Sequence, residues 1–322
     1  MDLTHGLCRL AQAGLVGLLA STSSAYAAEP AQTQSTNVAL AQSADSASVQ
    51  SADSASVQSD VAAGFTIYVG GVLFVEGHFK AEVAGDAYRL NTYMETTGLA
   101  HRLYPAVYKL MSMGRIAGES IEPEKFVSDT VARDDKRLVT LTYDDMGMPS
   151  LSVTPPYDED DIKEVTADQQ RATQDPVSAF LLPVRATDTP CARTIPIFDG
   201  KRRFNLTFAH QGTKKIAPHD TSAPDGWGPS LDTIVCTMHY EAITPPAKKR
   251  RFTTVLRRND EMKIWFAPFN DGRVYLPVRF EIPTPLGAAV MELNDLTATK
   301  SASLGRDEKS ALVVSAQEST RF

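Results

Sequence analysis

The chain has 322 residues, 43% of them hydrophobic and 22% charged, with a formal net charge of −7. This is ordinary globular composition, with room for one large domain or two small ones. The acidic balance argues against non-specific nucleic-acid binding, which needs a basic face to neutralise phosphates.

At the N-terminus, Arg9 precedes an apolar run from Ala11 to Ala20, and Ala25-Tyr26-Ala27 supplies small residues where a signal peptidase reads. Residues 1–27 are therefore expected to be a secretory signal peptide. The apolar run is shorter than the ~20 residues that span a bilayer. Cys8 lies before the run rather than at its end, which argues against a lipoprotein anchor. No later stretch is long and apolar enough to cross a membrane, so the expected location is outside the cytoplasm. Residues 28–63 are mostly Ala, Ser, Gln and Asp and contain the octet Ser-Ala-Asp-Ser-Ala-Ser-Val-Gln twice, from Ser43 and from Ser51. With so little apolar surface to offset ordering, this segment reads as a disordered linker.

Alternation begins at Gly64. Phe65, Ile67 and Val69, then Val72 and Phe74, then Phe79, Ala81 and Val83 lead to a turn signal at Gly85-Asp86 and a further strand through Leu90 and Met94. This is an antiparallel meander, with Gly70-Gly71 read as a bulge or sharp bend. Pro105 limits Gly98 to Arg115 to one turn of helix followed by a strand. Strands are expected at Phe126 to Val131, Leu138 to Tyr143 and Leu151 to Val153. The acidic Tyr157-Asp-Glu-Asp-Asp161 lacks the alternating ligands and hinge glycine of a calcium loop.

Asp175-Pro-Val-Ser-Ala-Phe-Leu-Leu182 carries a good N-cap and a first-turn proline, followed by residues apolar nearly all round. It is expected to be a short buried helix in the concavity of a curved sheet. Cys191 to Leu206 then reads as a hairpin turning at Asp199-Gly200, with Ile195, Ile197, Phe204, Leu206 and Phe208 on one buried face. His210 to Ser230 reads as a loop. Leu231 to Ala242, Met262 to Phe269, Val274 to Ile282 and Ala288 to Leu296 complete the strands, and 299–322 reads as a disordered tail. The fold class expected is mainly β: one domain over 64–298, a curved antiparallel sheet or half-open barrel wrapped around a short buried helix.

Cys191 and Cys236 remain after signal removal, and an even count in an oxidising compartment reads as one disulfide. Neither has a partner at C-x-x-C spacing, which disfavours a redox or metal pair. There is no Gly-x-Ser-x-Gly elbow, no His-Glu-x-x-His helix and no phosphate-cradling glycine loop. No catalytic residue, metal ligand or cofactor is assigned. The remaining candidates are cations: Lys201, Arg202 and Arg203 after the hairpin turn, and Lys248, Lys249, Arg250 and Arg251 in a later loop. They read either as contacts to a ligand or partner or as solvated edges that discourage sheet-to-sheet pairing.

Cys191-x3-Ile-Pro-Ile-Phe-Asp-Gly-Lys-Arg-Arg-Phe-Asn-Leu206, preceded by Asp175-Pro-Val-Ser-Ala-Phe-Leu181 and followed by Leu276-Pro-Val-Arg279 and Thr284-Pro-Leu-Gly287, resembles domain of unknown function family 3108. Tyr68-Val-Gly-Gly71 and Thr97-Gly-Leu99 match its N-terminal half. The resemblance implies a secreted protein of a Gram-negative bacterium with a curved antiparallel sheet, similar to the periplasmic lipoprotein carriers. It brings no catalytic residues. The expected function is that of a periplasmic, non-enzymatic envelope protein binding an apolar or lipid-like ligand in the concave sheet. The alternative is an adaptor docking on an envelope partner through its basic loops, and a hydrolase of cell-wall or lipid substrates is the least supported reading.

Overall fold

The computed structural model describes residues 56–157, 165–185, 189–219, 228–244 and 261–303. The expected signal peptide, the octet repeat up to residue 55, the acidic Asp158–Asp161, the basic Lys248, Lys249, Arg250 and Arg251, and the end of the tail all lie outside them. The strands are β1 (Ser56–Val69), β2 (Val72–Ala84), β3 (Ala87–Thr96), β4 (Ala106–Ala117), β5 (Ser120–Ala132), β6 (Asp135–Tyr143), β7 (Pro149–Thr154), β8 (Leu182–Pro183), β9 (Arg193–Phe198), β10 (Arg203–Ile216), β11 (Leu231–Ala242), β12 (Met262–Phe269), β13 (Val274–Ile282) and β14 (Ala289–Ser303). Two short helices, α1 (Gly98–Leu103) and α2 (Ala167–Gln170), sit in connections.

All these strands belong to one 14-stranded sheet, in the order β7-β6-β5-β4-β3-β2-β1-β14-β13-β12-β11-β10-β9, with β8 paired to β13. The first seven strands meander one way from β1. The chain then crosses to the far edge and meanders back, so that the last strand zips onto the first, Ser56 opposite Ser303 and Val69 opposite Ala289. The sheet curls into a half-open, barrel-like shell with β7 and β9 as its free ends. Its connections alternate between two ends. The upper end carries the β1–β2, β5–β6, β9–β10 and β13–β14 turns and α1. The lower end carries the β2–β3, β4–β5, β6–β7 and β12–β13 turns.

The inward faces are the alternating apolar positions. Phe65, Ile67, Ile195, Ile197, Phe204, Leu206 and Phe208 are all buried as their spacing requires. Gly70-Gly71 is not a bulge within a strand but the β1–β2 turn itself, both glycines having positive φ (57° and 82°). β1 begins ahead of Gly64, at Ser56, because β2 and β14 supply partners on both sides of a sequence too polar to announce a strand. β10 likewise runs on through His210 to Ile216, where most side chains are exposed and leave no alternation to read.

Asp175–Leu182 is buried inside the shell, but it is not the expected α-helix. It forms a single 3-10 turn, Ser178–Phe180, entered through a turn at Pro176 and Val177 and left through extended chain at Leu181. Pro176 and Pro183 leave too few residues between them for a nucleus that must order several residues per hydrogen bond. Ala179, Leu181 and Leu182 are 0–1% exposed, and a fully buried leucine contributes roughly 1.5–3 kcal/mol.

Candidate functional site

The site lies along the seam where the sheet's two ends face each other, and it differs between top and bottom. At the top the seam is shut. The β9–β10 tip tucks against the inner face of β6 and β7, and Phe198 joins Phe126, Leu141 and Tyr143 in a core cluster. Gly200 has φ 87°, and a Cβ there would stand 2.9 Å from both Leu151 and Val139. Only glycine fits the backbone angle and the space.

The turn itself is built on Asp199. Its Oδ1 accepts from the amides of Lys201 (2.8 Å) and Arg202 (2.6 Å), and Oδ2 lies 3.3 Å from the Arg202 guanidinium. The connection is therefore a four-residue loop over 199–202, wider than the two-residue turn expected. Burial pushes the Asp199 carboxyl above the usual carboxylate range, opposed by Arg202 and the two amides.

Lys201, Arg202 and Arg203, read from sequence either as ligand or partner contacts or as solvated edges, are engaged within the protein. The Lys201 ammonium stands 4.7 Å over the Tyr157 ring, whose other cation, Arg137, is 4.9 Å away. Arg137 also donates to the carbonyls of Pro155 and Pro156 at 3.0 and 3.2 Å. Arg203 donates to the Gln169 carbonyl (2.9 Å), the Phe204 carbonyl (2.6 Å) and Asn205 Oδ1 (2.7 Å), and its amide donates to Thr244 Oγ1. Lys201, Arg202 and Arg203 thus lock the upper seam. Arg203 ties α2 to the start of β10.

Between the two ends, residues 172–174 lace the seam together. The Ala172 amide donates to the Gly147 carbonyl at 3.2 Å, and Gln174 exchanges hydrogen bonds with Pro196 and Phe198 at the outer edge of β9. Immediately behind, Asp175 anchors the crossing segment. Ser112 Oγ donates to its Oδ2 at 2.7 Å, and the amides of Val177 and Ser178 donate to Oδ1 at 2.8 and 2.9 Å. Tyr88 Oη is 3.3 Å from Ser112 Oγ. Burial raises the Asp175 pKa against all three bonds.

Below this lacing the seam gapes into a cleft of about 1110 Å³. Leu181 and Leu182 lie at its floor, the β9 edge from Cys191 to Pro196 forms one wall, and Ser120–Glu124 of β5 with the β6–β7 turn forms the other. Ser120–Glu124 pair with β4 but extend past the end of β6, so their outer edge faces the cleft. Two buried polar atoms on the cleft lining, Tyr143 Oη and Gln174 Oε1, have no hydrogen-bond partner. Burial and the Asp175 charge push the Tyr143 phenol far up, so it stays a neutral donor.

Cys191 and Cys236 form a disulfide, Cα–Cα 5.8 Å, which staples the lower end of the β9 wall to β11. Among the described residues, no group of three or more His, Cys, Asp or Glu side chains is placed to hold a metal ion. Of the histidines, His78 stacks on Tyr93 and His101 meets the Thr96 carbonyl, both far from the seam. No helix among the described residues is long and apolar enough to cross a membrane.

The model of a family described as proteins of unknown function, DUF3108, matches residues 64–294. The chain belongs to that family. The matched span runs from within β1 to within β14, and it includes the seam and the Asp199–Arg203 turn that carries the sequence resemblance. Among solved structures, the chain is similar to a beta-barrel-like protein of domain of unknown function DUF1849 from Brucella abortus. Identity is 10%, coverage 76% of this chain and 98% of that one, and the TM-score 0.40. No curated protein matches.

Sequence reading missed the cleft. Tyr143 and Gln174 are ordinary in sequence, and their orphaned atoms exist only because the crossing segment buries them. Asp175 was legible as a cap, but its bond to Ser112 joins the crossing segment to β4, far away in sequence.

Proposed function

We propose that this DUF3108 protein is a non-enzymatic component of the Gram-negative periplasm that holds an apolar or lipid-like ligand at its lower seam. The observation that supports this reading is the cleft itself, floored by Leu181 and Leu182 and bordered by the orphaned Tyr143 Oη. An apolar floor beneath walls that carry polar and charged side chains, Glu122, Asp144 and Arg193 among them, suits a ligand with a hydrocarbon portion and a polar end. The ligand belongs at the seam rather than deep in the concave sheet, because the crossing segment fills that interior with side chains that are 0–1% exposed. No cofactor enters the proposal.

The test is native mass spectrometry of the exported protein, purified from its own cells without detergent. An adduct of lipid mass that organic extraction removes is the expected result. A clean, unadducted mass in repeated preparations overturns the proposal.

A further inference from the structure

The outer edge of β9 already takes an extended chain at one point. Gln174 donates its amide to the Pro196 carbonyl at 2.8 Å and accepts from the Phe198 amide at 3.0 Å, a parallel bridge on the seam side of β9. Backbone groups facing one side of a strand recur every second residue, so Thr194 presents its amide and carbonyl to that same side, below Gln174 and toward the cleft. β9 is the last strand of the sheet, and among the described residues no strand pairs with it there. Across the cleft, Ser120–Glu124 is a second edge that runs past the end of β6. Open edges over an apolar floor are where an extended polypeptide adds as a further strand.

The chain carries a candidate strand out of the shell at this same end. Ser303 of β14 lies opposite Ser56, away from the β1–β2 turn and so at the lower end, where the cleft opens. The sequence continues as 304–322, and Ser310-Ala311-Leu312-Val313-Val314-Ser315-Ala316 is an uncharged run within it, with the β-branched valines that pleated strands favour. β1 and β14 stand mid-sheet, across the shell from the seam. A curled sheet of this size is roughly 20–25 Å across at about 4.8 Å per strand. Residues 304–310, fully extended, reach about 23 Å. Entering from below, the run travels up the cleft in the direction of β9, the parallel sense that Gln174 uses.

We infer that residues 310–316 dock in the cleft of their own molecule as a parallel strand on the outer edge of β9, pairing with Thr194 and setting Leu312 and Val314 against Leu181 and Leu182. Alone, the tail has too little apolar surface to offset its ordering. A ready-made edge and an apolar floor supply what it lacks. Side chains two apart share a face, so Leu312 and Val314 reach the floor together. The docked tail covers the floor that a ligand would use, so the two compete, and docking itself does not depend on the ligand.

Hydrogen exchange on the exported full chain tests this, after passage over a hydrophobic resin until the native mass shows no adduct. The amides of 311–316 and of Thr194 should exchange at least about tenfold more slowly than those of an unstructured chain. The double variant Leu312→Asp, Val314→Asp leaves the shell untouched and should release both sets. Thr194→Pro removes the donor on the open edge without removing one from the β10 pairing, and it should release the tail as well. Should Thr194→Pro fold poorly by circular dichroism, exchange of the Thr194 amide in the tail variant carries the comparison. Tail amides that exchange freely in the parent, or that stay protected in either folded variant, overturn the inference. So does protection that fades on dilution, which assigns the strand to the tail of a second copy of this chain. A lipid-mass adduct that never appears counts against the ligand and leaves these readouts unchanged.

Discussion

Ser112 on β4 donates its hydroxyl to Asp175 Oδ2 at 2.7 Å, joining one wall of the shell to the segment that crosses its interior. Both residues are fully buried. Ser112→Ala leaves the carboxylate oxygen enclosed without its donor, and such a loss costs about 1–3 kcal/mol. Urea unfolding of the variant should show that drop, with the slope unchanged because the buried surface is the same.

The same carboxylate sets a pH dependence. Its folded-state pKa is raised by burial, so the native state binds the proton more tightly than the unfolded chain does. Stability from this group is therefore present below the unfolded value of about 4 and is lost as pH rises toward the folded value. Asp175→Asn keeps the acceptor for the Val177 and Ser178 amides and removes the titration. The stability of the variant relative to the parent should increase as pH rises from about 4 and then level off. A difference that shrinks as pH rises would show that the three hydrogen bonds outweigh burial, and a flat one that the two cancel.

The disulfide closes a loop of 45 residues. On the chain-entropy model such a closure contributes about 4 kcal/mol. Cys191→Ser and Cys236→Ser should each lower stability by a comparable amount, and the double variant by no more than either alone. Because Cys191 also lines the cleft wall, the single variants should lose ligand mass as well as stability.

Gly200 and Gly71 separate backbone angle from space. Both have positive φ, but a Cβ at Gly71 meets open solvent whereas one at Gly200 meets Leu151 and Val139. Gly71→Ala should cost only the conformational penalty, about 1 kcal/mol. Gly200→Ala should cost roughly 1–3 kcal/mol more, because the tip must lift from β6 and β7. Thermal unfolding of the pair measures the difference.

Tyr143→Phe removes a buried hydroxyl that has no partner in the protein. An unsatisfied buried hydroxyl costs roughly 1–3 kcal/mol, so the variant should be at least as stable as the parent. If the hydroxyl serves the ligand's polar end, the lipid-mass adduct should weaken in the same variant. Lower stability with unchanged adduct would place the hydroxyl's role within the fold instead.

Much of the architecture was legible from the chain because its strands are half-buried. Where one face meets the core, the period of two is written in Phe65-Ile67 and in Ile195-Ile197, and Asn270-Asp271-Gly272 marks its turn by positive backbone angles that few residues tolerate. Where both faces are wet, as in β10 beyond His210 and in β1 before Gly64, the strand exists because neighbours supply hydrogen bonds, and local composition says nothing of it. The Asp199–Arg203 run illustrates the division. Its turn and its family were readable from side chains within a few residues. Whether its cations faced a ligand or the protein depended on Tyr157, Gln169 and Thr244, which only the folded seam brings to them. The cleft belongs to that second class. It is made of turns and edges from distant parts of the chain, so its shape and charge are properties of the curled sheet rather than of any stretch of sequence.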